Sequence, residues 1–350
     1  MRIGLIGYGA WGQFHSKAIA AAKGAQLVAI ACRTEASASA ARKQWPGIHV
    51  TTSWQEVVDD ASIDAVDIVL PNFLHADVAC AALARGKHVL LEKPMATTRA
   101  DCDRLLRAAQ RSAGILSIGH EFRLSTQWGR AKRLIDDGAI GDPMWVNVNL
   151  FRNPYRLGAD GWRHDSARVG SWILEEAVHF FDLSMWYLER YGDPQTIRTH
   201  GLSRRKLASG MVDVCSSTLT FAGGAFATIN QCVAGFEHHL VVEVAGSEGA
   251  IRTSWSGAMD RDHQPVFDFR VQPTGFAFER GVSEAEHHSI QASGEVHELN
   301  EQLRLTVPAF AERRPLVSAQ ESRKRVICCL AAEESLREGR EIGLDFSIEA

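Results

Sequence analysis

Ile3-Gly4-Leu5-Ile6-Gly7-Tyr8-Gly9-Ala10-Trp11-Gly12 decides how the rest of the chain is read, because an apolar run feeds straight into glycines spaced as Gly-x-Gly-x-x-Gly. In that pattern the first glycine permits a tight turn out of a strand, the second lets the backbone approach a pyrophosphate, and the third lets the next helix pack closely on the sheet. A helix beginning there turns free N–H groups and its positive dipole end toward the phosphates. Gly7, Gly9, Ala10, Trp11 and Gly12 are therefore candidate coenzyme contacts.

Outward from this turn, Trp11, Phe14, Ala18, Ile19 and Ala22 keep to one helix face. Strands are predicted over 27–31, 64–70, 88–91 and 115–118, with a polar helix after the first of these and further helices over 74–85 and about 97–111. Strands alternating with helices of this length imply a doubly wound parallel sheet, so residues 1–120 read as a Rossmann dinucleotide-binding domain. A chain of 350 residues exceeds what one core usually serves, and residues 121–350 read as a second α/β domain. Strands are predicted there over 144–151, 196–207, 212–221, 225–233, 240–245 and 266–271, with Gly223-Gly224 as a hairpin turn. That makes a large, mostly antiparallel open sheet. Helices are predicted over 125–137, 298–312 and 319–338.

Composition excludes several classes of partner. A net charge of -4 offers no field for nucleic acid or an anionic membrane, and Arg204-Arg205-Lys206 and Arg323-Lys324-Arg325 read as solvated faces. No apolar run approaches the ~18 residues that span a bilayer. Met1 leads straight into a strand, and seven cysteines without metal or framework spacing suit a reducing compartment, so a cytoplasmic protein is expected. Cys328 and Cys329 read as packed rather than reactive.

A carboxylate about 20 residues past the glycines would bind adenosine ribose hydroxyls. Here the residues are Cys32-Arg33-Thr34. The Arg33 guanidinium suits a 2′-phosphate, so NADP is the expected coenzyme; NAD is the alternative, through Glu35 or with Arg33 as a plain surface residue.

Two further stretches carry chemistry. Gly86-Lys87-His88-Val89-Leu90-Leu91-Glu92-Lys93-Pro94 puts Glu92 and Lys93 at the carboxyl end of a strand, where ligands of open α/β sheets bind. Pro71, Asn72 and His75 fall at the same edge. In Gly170 to Leu183, at 100° per residue, Glu175, His179 and Asp182 share one stripe of an otherwise apolar helix. A core histidine bonded to its i−4 carboxylate would explain the stripe, and so would a general base oriented by that carboxylate. No metal site is expected, because a second histidine four residues away is missing.

Taken together the chain resembles the Gfo/Idh/MocA family, which groups glucose-fructose oxidoreductase, inositol dehydrogenase and the rhizopine-catabolism protein. The resemblance rests on Gly7-x-Gly9-x-x-Gly12, Pro71-Asn72-x-x-His75, Gly86-Lys87-His88-Val89 with Glu92-Lys93-Pro94, and Trp162-Arg163 ahead of the Glu175 to Asp182 segment. It implies an NAD(P)-dependent dehydrogenase that moves hydride between nicotinamide and the hydroxyl carbon of a sugar, polyol or inositol. Lys93 would polarise the hydroxyl and His179 would act as base. Glu175 stands where the family usually has aspartate, one methylene longer, and Ala177 where it has glycine. Arg123, Trp162, Arg163, His164, His120, Glu121 and Asn72 are expected to line the substrate pocket. The resemblance also implies a homodimer or homotetramer assembled through the C-terminal sheet. A coenzyme-retaining glycosidase of the same family and a non-catalytic dinucleotide-binding regulator are the alternatives.

Overall fold

The computed structural model describes residues 1–203, 211–258, 262, 264–273, 285–290 and 294–348. In chain order the N-terminal half runs β1 (Arg2–Ile6), α1 (Ala10–Ala21), β2 (Gln26–Ala31), α2 (Glu35–Gln44), β3 (His49–Thr51), α3 (Trp54–Asp59), β4 (Ala65–Ile68), α4 (His75–Ala84), β5 (His88–Glu92), α5 (Arg99–Arg111) and β6 (Leu116–Gly119). These six strands form a wholly parallel sheet in the order β3-β2-β1-β4-β5-β6. Leu5, Ile30, Ile68, Val89 and Leu91 are all fully buried, as strands covered by helices on both faces must be. Thr34 and Thr98 cap α2 and α5, each accepting a backbone N–H in the first turn. Sequence reading passed over β3 and α3, which are too short to carry a clear period.

The chain continues through α6 (Trp128–Asp136), β7 (Pro143–Arg152), α7 (Ser166–Val169), a π-helical turn (Ile173–Ala177), α8 (Val178–Tyr187), β8 (Thr196–Leu202), β9 (Val214–Thr220), β10 (Phe226–Cys232), β11 (His238–Gly246), β12 (Ala250–Gly257), β13 (Val266–Gln272), β14 (Glu286–His287), α9 (Glu295–Ala311), α10 (Ala319–Glu338) and β15 (Ile342–Gly343). A second sheet orders them β14-β13-β12-β11-β7-β10-β9-β8-β15, antiparallel except for the β7·β10 pair. Gly223 and Gly224, at φ 75° and 86°, make the expected turn between β9 and β10. On the inner face Val146, Val148 and Leu150 are buried. On the outer face Thr228 donates to Asn147 Oδ1 (2.8 Å) and Asn230 to Asn149 Oδ1 (2.8 Å), a polar ladder along the middle of the sheet.

Two features cut across the expected organisation. The division at residue 120 follows the sheets but not the packing: Leu299, Leu303, Val307 and Phe310 of α9 join Ile3, Leu5 and Ile19 in one apolar cluster, and Phe310 stacks on His88 at 5.0 Å. Nor is Arg323-Lys324-Arg325 a solvated face. Arg323 and Arg325 are buried against Asp103 and Asp182, because α10 is packed between α5, α8 and the second sheet. Arg204, Arg205 and Lys206 lie outside the described residues. Cys328 and Cys329 are fully buried. Among the described residues no helix is long and apolar enough to cross a membrane.

Candidate active site

The glycine turn fits a dinucleotide pyrophosphate on its own geometry. Gly7 has φ +106°, and a Cβ there would meet Val69 O at 2.1 Å; a Cβ on Gly12 would meet Gly7 O at 2.0 Å. A Cβ on Gly9 would meet nothing within 4 Å, so this residue leaves its backbone open to an approaching group. Gly9 precedes α1 with no side chain capping the helix, the arrangement in which a helix N-terminus receives an anion.

Behind this turn His15 is fully buried, with Nδ1 2.7 Å from Asp67 Oδ2 on β4 and Nε2 3.2 Å from Glu92 Oε1 at the end of β5. Burial alone would push the His15 imidazole down; Asp67 and Glu92 outweigh it and push it up to about 10. Glu92, expected to touch coenzyme, is thus engaged with His15. His75, expected to do the same, has Nδ1 2.7 Å from Pro94 O and Nε2 2.8 Å from Leu70 O, tying two strand ends together. Pro71 begins the short turn that carries Asn72.

Lys93 follows β5 directly, and its Nζ donates to Glu175 O at 3.0 Å. Burial lowers the lysine pKa, but Glu175, Glu121, Glu176 and Glu92 outweigh it and hold the ammonium above its ordinary value. Lys93 is therefore a cation. His179 is the opposite case: burial first and the Lys93 charge second hold its imidazole well below the ordinary value. Its ring stacks on Phe122 (4.5 Å between centroids, 19°), Nε2 lies 4.0 Å from Glu121 Oε1, and Nδ1 is buried without a hydrogen-bond partner among the described residues.

The expected i−4 pairing of Glu175 with His179 does not occur. Ile173–Ala177 winds as a wider π turn, which rotates His179 and Asp182 out of the 100° stripe. Glu175 instead accepts from Asn72 Nδ2 (2.7 Å) and Arg163 Nε (3.0 Å), while Asn72 also donates to Val169 O (3.1 Å). Asp182 receives Arg123 on both oxygens (2.8 and 2.6 Å) and Arg325 (2.9 Å). Arg123 also bonds Glu321 at 2.9 Å, so its donors serve an internal ion cluster. His120 sits 2.9 Å from Ser322 Oγ, and His164 lies 3.1 Å from Tyr155 O with its ring edge-on to Trp172. Of the expected pocket residues, Asn72, Arg163 and Trp162 stay together, the Arg163 guanidinium lying 4.7 Å over the Trp162 ring.

Sequence reading missed Glu176, Arg152 and Tyr155. Glu176 is buried, accepts from Arg152 Nη1 (3.0 Å) and bonds the Tyr155 hydroxyl. Burial raises its pKa, but Arg152 foremost outweighs that and brings it down to about 2. The helical stripe put Glu176 off the site; the π turn is what brings two successive carboxylates to bear on Lys93. Past the end of β2, Thr34 caps α2 and Arg33 is ion-paired with Asp160. No cluster of three or more metal-ligating side chains occurs among the described residues.

Comparison with known proteins places family models on both halves of the chain. The family description "Oxidoreductase family, NAD-binding Rossmann fold" matches residues 1–120, and "GFO/IDH/MocA C-terminal domain" matches residues 128–252. Levoglucosan dehydrogenase of Pseudarthrobacter phenanthrenivorans is 28% identical over 72% of this chain and 73% of that enzyme. Inositol 2-dehydrogenase of Salmonella typhimurium is 26% identical over 71% of this chain and 72% of its own. In fold, a levoglucosan dehydrogenase solved with NADH and L-sorbose superposes with a TM-score of 0.83 at 21% identity, covering 99% of both chains.

Proposed function

The chain belongs to the Gfo/Idh/MocA family of oxidoreductases, and on that footing we propose that it is a nicotinamide-dependent dehydrogenase acting on a hydroxyl-bearing carbon of a sugar, polyol or inositol. The observation that carries this reading is the bond from Lys93 Nζ to Glu175 O, four residues before His179, with neighbouring carboxylates holding the Lys93 pKa up and burial holding that of His179 down. A bound nicotinamide dinucleotide supplies the acceptor for the hydride that leaves the carbon.

The residues around it do the rest. Gly7, Gly9 and Gly12 shape the phosphate turn. His179 takes the hydroxyl proton; an uncharged imidazole is the form able to accept it. The Lys93 ammonium holds the same oxygen and stabilises the charge that grows on it. Glu175, fixed by Asn72 and Arg163, keeps that ammonium charged and in place. Arg163, Trp162 and Tyr155 offer the donors and ring faces that suit a polyhydroxylated ring. The outer face of the second sheet, with its polar ladder and exposed Met144 and Phe226, is the surface we assign to homodimer or homotetramer contacts; light scattering of the purified chain tests it.

A panel of inositols, aldoses and their lactones, each with NAD and NADP, tests the activity. Net coenzyme reduction or oxidation with at least one member is expected. Release of free sugar without net coenzyme turnover would instead make the protein a coenzyme-retaining glycosidase, and silence across the panel would reject the dehydrogenase reading.

A further inference from the structure

The second strand of the parallel sheet ends at Ala31, and the next residues, Cys32-Arg33-Thr34, hold no carboxylate. In a doubly wound dinucleotide domain this is where an acidic side chain binds the adenosine ribose hydroxyls, or an arginine binds a 2′-phosphate. The missing carboxylate arrives from the other half of the chain. Asp160 sets Oδ2 against Arg33 Nη1 in an ion pair and Oδ1 3.5 Å from Nη2.

The backbone around Asp160 is shaped to present it. Asp160 itself has φ 54°, ψ 29°, and Gly158 and Gly161 have φ 73° and 68°, three residues of positive φ within four positions. Arg168 Nη1 donates to Asp160 O at 3.1 Å, and the same guanidinium lies 5.1 Å over the Phe73 ring. The far end of the segment is held by Asn72, which donates to Val169 O. One loop therefore links the end of β2, through Asp160, to Asn72, which also fixes Glu175.

We propose that Asp160 selects the coenzyme: it cancels the Arg33 charge and stands in for the absent strand-end carboxylate, so that the chain prefers NAD to NADP. This rests on the dehydrogenase reading of the same crevice. A 2′-phosphate brought to Arg33 would meet the Asp160 carboxylate as a like charge, whereas ribose hydroxyls would find in it an acceptor. Both side chains are 60% exposed, so the pair is open to the solvent from which coenzyme arrives and is not a buried structural bridge.

Dissociation constants for NADH and NADPH, measured by calorimetry on the full chain without substrate, test the proposal. The unaltered protein should bind NADH more tightly. Asp160→Asn should shift the NADPH-to-NADH affinity ratio toward NADPH by about tenfold or more, and adding Arg33→Ala should erase that shift. A ratio unchanged within about twofold in Asp160→Asn, or an unaltered protein that already favours NADPH, would overturn the role of Asp160 while leaving the dehydrogenase reading intact. Failure of the unaltered protein to bind either coenzyme would overturn both.

Discussion

Lys93 Nζ donates to the main-chain oxygen of Glu175 at 3.0 Å, so the bond between the strand-end ammonium and the π turn uses backbone rather than a carboxylate. A main-chain acceptor positions the ammonium without neutralising it, and the surrounding carboxylates keep it charged from a distance. Lys93→Met removes that charge while keeping most of the unbranched side chain. Turnover is expected to fall by about 10²- to 10³-fold with NADH affinity nearly unchanged, read by steady-state kinetics and coenzyme titration. Wild-type turnover in this variant would remove Lys93 from the chemistry.

The pH profile is set by the direction of the His179 shift. Burial and the Lys93 charge favour the neutral ring, so the base stays deprotonated as pH falls through the ordinary imidazole value near 6.5. The acid limb of kcat/KM is therefore expected well below about 6.5. A limb at or above that value would mean that the titrating group is not this histidine.

Glu175→Gln keeps the shape of the side chain and removes its charge. Arg163 and Asn72 lose an ionic acceptor, and KM is expected to rise about tenfold. Glu175 is also the foremost carboxylate holding the Lys93 pKa up. Its loss lets burial lower that pKa, so the basic limb of the profile should move to lower pH. A tenfold KM effect with an unmoved basic limb would confine Glu175 to packing.

Stability carries its own signature at His15. Its folded-state pKa is raised to about 10, so the stabilisation by Asp67 and Glu92 is complete below the unfolded value near 6.5 and is lost as pH rises through about 10. Thermal unfolding followed from neutral pH upward should show that decline, and His15→Ala should flatten it. That variant removes the cation lying between the buried Asp67 and Glu92 carboxylates and should cost about 3–5 kcal/mol at neutral pH.

The parts of the fold and site that were legible from sequence are those fixed by local requirements. Gly12 is demanded by Gly7 O within its own turn, Gly7 carries a positive φ that its own glycine identity announces, and the strand preceding Lys93 is marked by its own apolar run. What escaped depends on contacts between distant segments or on a change of helical period. The stripe of Glu175, His179 and Asp182 assumed 3.6 residues per turn, and one π turn redistributed its members to Asn72, Glu121 and Arg123. Buried Arg323 and Arg325 looked like solvent residues because their partners, Asp103 and Asp182, lie far away in the chain. For the same reason the ion pair of Arg33 with Asp160, which belongs to a distant loop, could not be read from the Arg33 segment alone.

His179→Ala, assayed for turnover and for coenzyme affinity on one preparation, tests the central claim most directly. A fall in kcat of about 10²- to 10⁴-fold with coenzyme binding preserved is the expected result. Turnover at the level of the unaltered protein would contradict the account, because no proton acceptor would then be needed at this position.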